Sequence, residues 1–93
     1  MPIEQSTPNQ SVAEIRADLL EYLAARLPEE TGLDIDTDLL TEELLDSLLI
    51  MDLVAHIEAE QGVKLANSDI APRHFRTVRA LAALVAERRS RAD

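Results

Sequence analysis

The stretch Leu44-Leu45-Asp46-Ser47-Leu48-Leu49-Ile50-Met51-Asp52-Leu53-Val54-Ala55-His56-Ile57-Glu58-Ala59-Glu60-Gln61-Gly62 (residues 44–62) decides the fold. Ile50, Leu53, Val54 and Ile57 stand at i, i+3, i+4 and i+7, the spacing of one buried helical stripe. Ser47 is an N-cap type of residue, and Gly62 suits the left-handed position that closes a helix. The spacing therefore predicts a helix that begins at Ser47 and ends at about Gln61. The stripe leaves three apolar residues unexplained. At about 100° per residue, Leu48 points nearly opposite it, with Leu49 and Met51 on its two flanks. An apolar cluster at the exposed start of an otherwise acidic helix is expected to be a binding surface.

Working outward, the same periodicity recurs on both sides. Ser11 and Glu14 form a capping-box pattern, and Val12, Ile15, Leu19, Leu23 and Leu27 follow at helical spacing. Pro28 disfavours helical geometry at the residue before it, so this helix is expected to stop near Leu27. Residues 28–45 form a long acidic connection with apolar anchors at Leu33, Ile35, Leu39, Leu40 and Leu44. Within it, Thr41 to Leu45 is expected to form at most a short turn of helix. Beyond Gly62, Val63-Lys64-Leu65 alternates as an extended piece. Asn67 or Ser68 is expected to cap a short helical segment, with Pro72 near its start or breaking it. Thr77 caps a last helix whose core is Val78, Leu81, Leu84 and Val85. The fold class is all-α: a four-helix bundle with a short third helix and a long loop between helices 1 and 2. Residues 1–10 are read as a flexible lead, 11–89 as the domain and 90–93 as a tail.

Composition narrows the function. There is no Cys, which excludes disulfides and thiolate metal sites, so any thiol chemistry has to be supplied by an added group. The hydrophobic fraction of 46% is too high for a disordered acidic tail. No apolar run approaches the roughly 18 residues needed to span a bilayer, and Met1–Gln10 lacks the pattern of a secretory signal. A cytoplasmic protein without a membrane role is expected. Net charge is −9, and residues 28–62 hold 11 acidic side chains with no Lys or Arg. That acidic face points to basic protein partners, whereas nucleic acid would require the opposite sign.

Leu44-Leu45-Asp46-Ser47-Leu48 at the head of an amphipathic helix resembles the phosphopantetheine attachment motif of acyl and peptidyl carrier proteins, whose core is Asp-Ser-Leu. Gly62-Val63-Lys64-Leu65 is similar to the segment after the family's second helix. Ile70 with Phe75-Arg76-Thr77-Val78 is similar to the approach to its third and fourth helices. The resemblance covers roughly residues 11–88. It implies that Ser47 carries a 4'-phosphopantetheine arm taken from coenzyme A, and that Asp46 helps the modifying transferase engage its magnesium and substrate. Leu48, Leu49, Met51, Asp52 and Glu58 become the expected partner-binding residues. The implied partners are a phosphopantetheinyl transferase, a loading ligase or acyltransferase, and downstream biosynthetic enzymes that meet a monomeric carrier. The carrier has no catalytic activity of its own.

Three residues depart from the family's common pattern. Glu43 stands where Gly often precedes the motif, Leu49 where many fatty-acid carriers are acidic, and Gln61 where an aromatic is frequent. These departures point to a free-standing carrier of a specialised pathway, of polyketide or nonribosomal-peptide type secondary metabolism or amino-acid tailoring. The alternative is an unmodified acidic helical adaptor. Calcium binding at Asp34-x-Asp36-x-Asp38 is excluded, because the sixth and twelfth positions are Leu39 and Leu45 instead of Gly and Glu. A serine hydrolase is excluded as well: no Gly-x-Ser-x-Gly elbow is present. His56 and His74 have no metal-ligand spacing. His56 is expected at a surface or boundary of the second helix, His74 in the short third segment.

Overall fold

The structure, a computed structural model, describes residues 11–92. Four helices are present: α1 (Val12–Ala24), α2 (Ser47–Gln61), α3 (Pro72–Phe75) and α4 (Val78–Ala92). There is no strand among the described residues. The lead read at residues 1–10 lies outside them. Each boundary has a local cause. At α1, the Glu14 N–H donates to Ser11 Oγ at 3.1 Å and the Ser11 N–H donates to Glu14 Oε1 at 2.9 Å, the reciprocal capping box. The helix ends at Ala24, three residues short of Leu27. The Arg26 and Leu27 N–H groups both still donate to the Leu23 carbonyl, so the chain leaves α1 through a tightened last turn. Gly62 closes α2 at φ +67°, and Thr77 Oγ1 accepts the Ala80 N–H at 3.0 Å to open α4.

Two expectations need correction. Asn67 and Ser68 do not cap the third helix. They lie in a separate 3₁₀ turn, Asn67–Asp69, and α3 starts afresh at Pro72 in its first turn, with Ala71 before it. Proline suits that place because the missing N–H would have had no partner there. Second, α4 runs on through Ala92, into the stretch read as a tail.

The core is made by all four helices and two loop residues. Ile15, Leu19 and Leu23 of α1, Leu53 and Ile57 of α2, Phe75 of α3, and Val78, Leu81, Ala82, Leu84 and Val85 of α4 are buried together with Leu39 and Val63. α4 is the hub, against which α1, α2 and α3 each pack. Val12, assigned to the core stripe by its spacing, is 38% exposed.

The long connection is held down as the apolar anchors suggested, and polar bonds fasten it as well. The Leu39 N–H donates to the Arg76 carbonyl at 2.7 Å, and the Arg79 N–H donates to the Ile35 carbonyl at 3.0 Å. Arg79 grips Asp36 with two bonds, at 2.7 and 3.0 Å, and Arg76 reaches Asp38 at 3.2 Å. Asp38 also accepts the Leu40 and Thr41 N–H groups, and Asp34 accepts the Asp36 N–H. The three spaced aspartates are thus each committed to a separate protein partner. The Arg79 hydrogen bonds hold the Asp36 carboxyl below its ordinary range, and the Thr41 N–H does the same for Asp38.

Asp69 is the most perturbed carboxyl. Its hydrogen bond to Arg88, helped by the Ala66 N–H, lowers it from 3.8 to about 2. A carboxyl with a depressed folded-state pKa adds stability above its unfolded value, and loses it as pH falls through the folded one. The native chain should therefore lose melting temperature between about pH 4 and pH 2. Asp69→Asn should show a shallower slope in that window, with the rest contributed by Asp36 and Asp38. Equal slopes in a pH series of thermal melts would contradict this assignment.

Candidate functional site

The head of α2 is organised by Asp46, not Ser47. Asp46 is the N-cap residue: its backbone is extended and its Oδ1 accepts the Leu49 N–H at 2.8 Å. Ser47 is the first helical residue, as the spacing predicts, but it is not the N-cap that its residue type suggested. A carboxylate caps as well as a hydroxyl and also favours the positive end of the helix. Ser47 is exposed, and its Oγ makes no hydrogen bond among the described residues. The hydroxyl is left free for chemistry because its neighbour does the capping.

The loop before the motif turns sharply. The Leu44 N–H donates to the Leu39 carbonyl at 2.9 Å, and Glu43 has φ +58°. Glu43 is the only non-glycine among the described residues with a left-handed backbone, a conformation that glycine adopts without steric cost. The position where the family often carries Gly is therefore one where the chain needs a glycine-like backbone.

The remaining predicted site residues are spread around α2. Leu48 is 70% exposed and Met51 is 69% exposed. Leu49, on the other flank, is half-buried against the core. The reason is that the buried arc centres on Leu53 and Ile57. On a 3.6-residue helix Leu49 lies about 60° from that centre and Met51 about 140°. Asp52 is exposed, and its carboxylate makes no hydrogen bond among the described residues. Glu58 differs: it is half-buried, and its Oε2 accepts the Leu65 N–H at 3.0 Å. One of its two carboxylate oxygens is engaged inside the chain.

Two features escaped the sequence reading. Asp18 and Tyr22 of α1 meet His56 of α2. His56 Nε2 is 2.9 Å from Asp18 Oδ2, and its ring stacks on Tyr22 with centroids 4.0 Å apart. Arg26 lies 3.6 Å above the Tyr22 ring, and the Tyr22 hydroxyl donates to the Asp52 carbonyl at 3.2 Å. The signal was present, since Asp18, Tyr22 and Arg26 recur every four residues, the spacing of one helix face carried just past the end of α1. The second feature is an apolar cleft of about 130 Å³ lined by Leu40, Ile50, Ile70, Ala71, Pro72 and Phe75. It opens one helical turn beyond Ser47, between the long loop, α2 and the approach to α3. His74, expected in this third segment, lies on α3.

The site can accept a phosphodiester. Among the first turn's N–H groups, that of Leu49 is taken by Asp46, while those of Ser47 and Leu48 have no partner among the described residues. Free amides and the positive helix end favour a phosphate there, and the exposed serine presents no obstacle to attachment. Comparison with known proteins gives the same chemistry. The sequence profile described as "Phosphopantetheine attachment site" matches residues 12–85. The chain is also 33% identical over 73 residues to a probable acyl carrier protein, PigG, of Serratia sp. (strain ATCC 39006), across 76% of this chain and 84% of that protein.

Proposed function

Because this chain belongs to the phosphopantetheine attachment, or carrier-protein, family, we propose that it is a free-standing carrier that bears its arm on Ser47. The arm supplies the thiol that the Cys-free sequence lacks, and the carried acyl or aminoacyl group is held on it as a thioester. The observation that supports Ser47 most directly is its exposed, unbonded hydroxyl at the first residue of α2, beside a capping Asp46. Asp46 has a second role in this reading, engaging the transferase and its magnesium. The chain itself performs no catalysis. It is a monomer of the cytoplasm that meets a transferase, then a loading ligase or acyltransferase, then downstream enzymes. Its departures at Glu43, Leu49 and Gln61, together with the similarity to PigG, favour a specialised pathway of polyketide or nonribosomal-peptide type. Among the described residues no helix is long and apolar enough to cross a membrane.

The test is direct. Incubation with coenzyme A and a broad-specificity phosphopantetheinyl transferase should add one phosphopantetheine to the intact mass, located on the peptide that contains Ser47. A chain that stays unmodified would leave the acidic adaptor as the better reading.

Docking is proposed to use Leu48 and Met51 as the apolar contacts and Asp52 as the exposed charge, with Leu49 and Glu58 contributing from the half-buried edge. Exposed ion pairs are weak and screened by salt. Asp52→Lys is expected to slow loading by the cognate ligase by about two- to fivefold at low salt, with the difference shrinking as salt rises. Glu58→Lys should slow it too, but it also removes the bond to the Leu65 N–H, so its melting temperature must be followed in parallel. Unchanged rates for Asp52→Lys at low salt would move the docking face away from this side of α2.

A further inference from the structure

Asp69 is 4% exposed in a segment whose neighbours Asn67, Ser68 and Ile70 are at the surface. Its Oδ2 accepts the Ala66 N–H at 2.9 Å and the Arg88 Nε–H at 3.0 Å, and its Oδ1 accepts Arg88 Nη2. Buried carboxylates persist where they are paired and hydrogen-bonded. A two-pronged guanidinium contact fixes direction as well as charge. The turn at Asn67–Asp69 therefore has one defined position relative to α4. At its other end the same segment is fastened to α2, where Glu58 accepts the Leu65 N–H. The residues that follow Asp69 are Ile70, Ala71 and Pro72, which form one wall of the apolar cleft, with Leu40, Ile50 and Phe75 completing it. Neither Asp69 nor Arg88 lines the cleft.

We propose that the Asp69–Arg88 pair is a positioning device: by locking the segment to α4 it holds the Ile70–Pro72 wall in place, and so sets the size of group the cleft accepts. At about 130 Å³ the cleft is close to the roughly 150 Å³ apolar cavity that binds benzene. Its occupant is accordingly a small apolar group, a ring or short branched chain, at the end of whatever Ser47 bears one turn away on the same helix. That assignment of occupant rests on the proposed role of Ser47, whereas the test of the device does not.

The test uses the unmodified full chain and benzene as the probe, followed through the methyl signals of Ile50 and Ile70 by NMR. The native chain should show saturable shifts at both residues, with the Leu19 methyls, in the core on α1, unmoved. Arg88→Lys keeps the charge but loses the planar fork, and should weaken benzene binding about fivefold, on the scale of one hydrogen bond lost. Removing one partner outright risks unfolding, so the second arm is the double variant Asp69→Asn/Arg88→Gln, which removes both charges and should weaken binding in the same direction. A merely structural role is separated by Leu23→Val, which lowers the melting temperature from α1 and should leave benzene affinity unchanged. The proposal is overturned if both cleft variants bind benzene as the native chain does, if Leu23→Val weakens binding as much as they do, or if the native chain shows no saturable shift at Ile50 and Ile70. Failure of Ser47 to accept phosphopantetheine would appear separately, in the intact-mass experiment.

Discussion

Ser47→Ala is expected to take up no phosphopantetheine under conditions that convert the native chain completely, while melting within about 2–4 °C of it. The second half of this expectation comes from the structure. Had Ser47 been the N-cap, its loss would have cost about 0.5–2 kcal/mol. Asp46 does the capping, through its bond to the Leu49 N–H, and the Ser47 hydroxyl has no bond to lose among the described residues. Asp46→Ala should show the converse, a lower melting temperature from the lost cap. Asp46→Asn keeps a capping side chain but not the charge, so slow modification of a stable Asp46→Asn would isolate the part played with the transferase. A Ser47→Ala chain that still gains the phosphopantetheine mass would place the arm elsewhere, and the argument from the head of α2 would fail.

The second large effect is on stability. Leu53→Ala should cost about 2–5 kcal/mol, the range for truncating a buried leucine, against a total of about 5–15 kcal/mol. Leu53 is fully buried, whereas Leu48 is 70% exposed. Leu48→Ala should scarcely move the melt and should instead slow transfer to partner enzymes. Both changes delete the same atoms from one helix, so helix propensity enters each nearly equally. If Leu48→Ala loses as much stability as Leu53→Ala, the facing of α2 is wrong and the apolar docking surface goes with it.

Periodicity made most of this architecture legible. Leu53 and Ile57, the α4 set of Val78, Leu81, Leu84 and Val85, and the α1 set of Ile15, Leu19 and Leu23 are all buried, because a helix that packs on one side must repeat its apolar residues at that spacing. Local chemistry was legible where one residue type suits one conformation, as at the Ser11–Glu14 box, Thr77 and Gly62. It failed where two adjacent residues could do the same job. Asp46 and Ser47 are both capping types, and only the register of α2 decides between them. Val12 failed for another reason: it is the first residue of α1, and spacing gives the face of a helix but not how far along it the core extends. Long-range pairs such as His56 with Asp18, or Arg88 with Asp69, lie 38 and 19 residues apart. No local pattern names the partner, and the bond from the Leu65 N–H to Glu58 is equally invisible in the sequence.

The two backbone bonds that splice the long loop onto the start of α4 also bear on the order in which the molecule is assembled. Ile35 and Leu39 must find Arg79 and Arg76, roughly forty residues away, before either bond forms. Closing so long a loop costs entropy before it is rewarded, and contacts of this separation slow folding relative to helical bundles built on neighbours. During synthesis the helix of Ser47 emerges from the ribosome before the residues that anchor its preceding loop. The surface around the serine is thus a late product of folding, completed only when the C-terminal helix arrives.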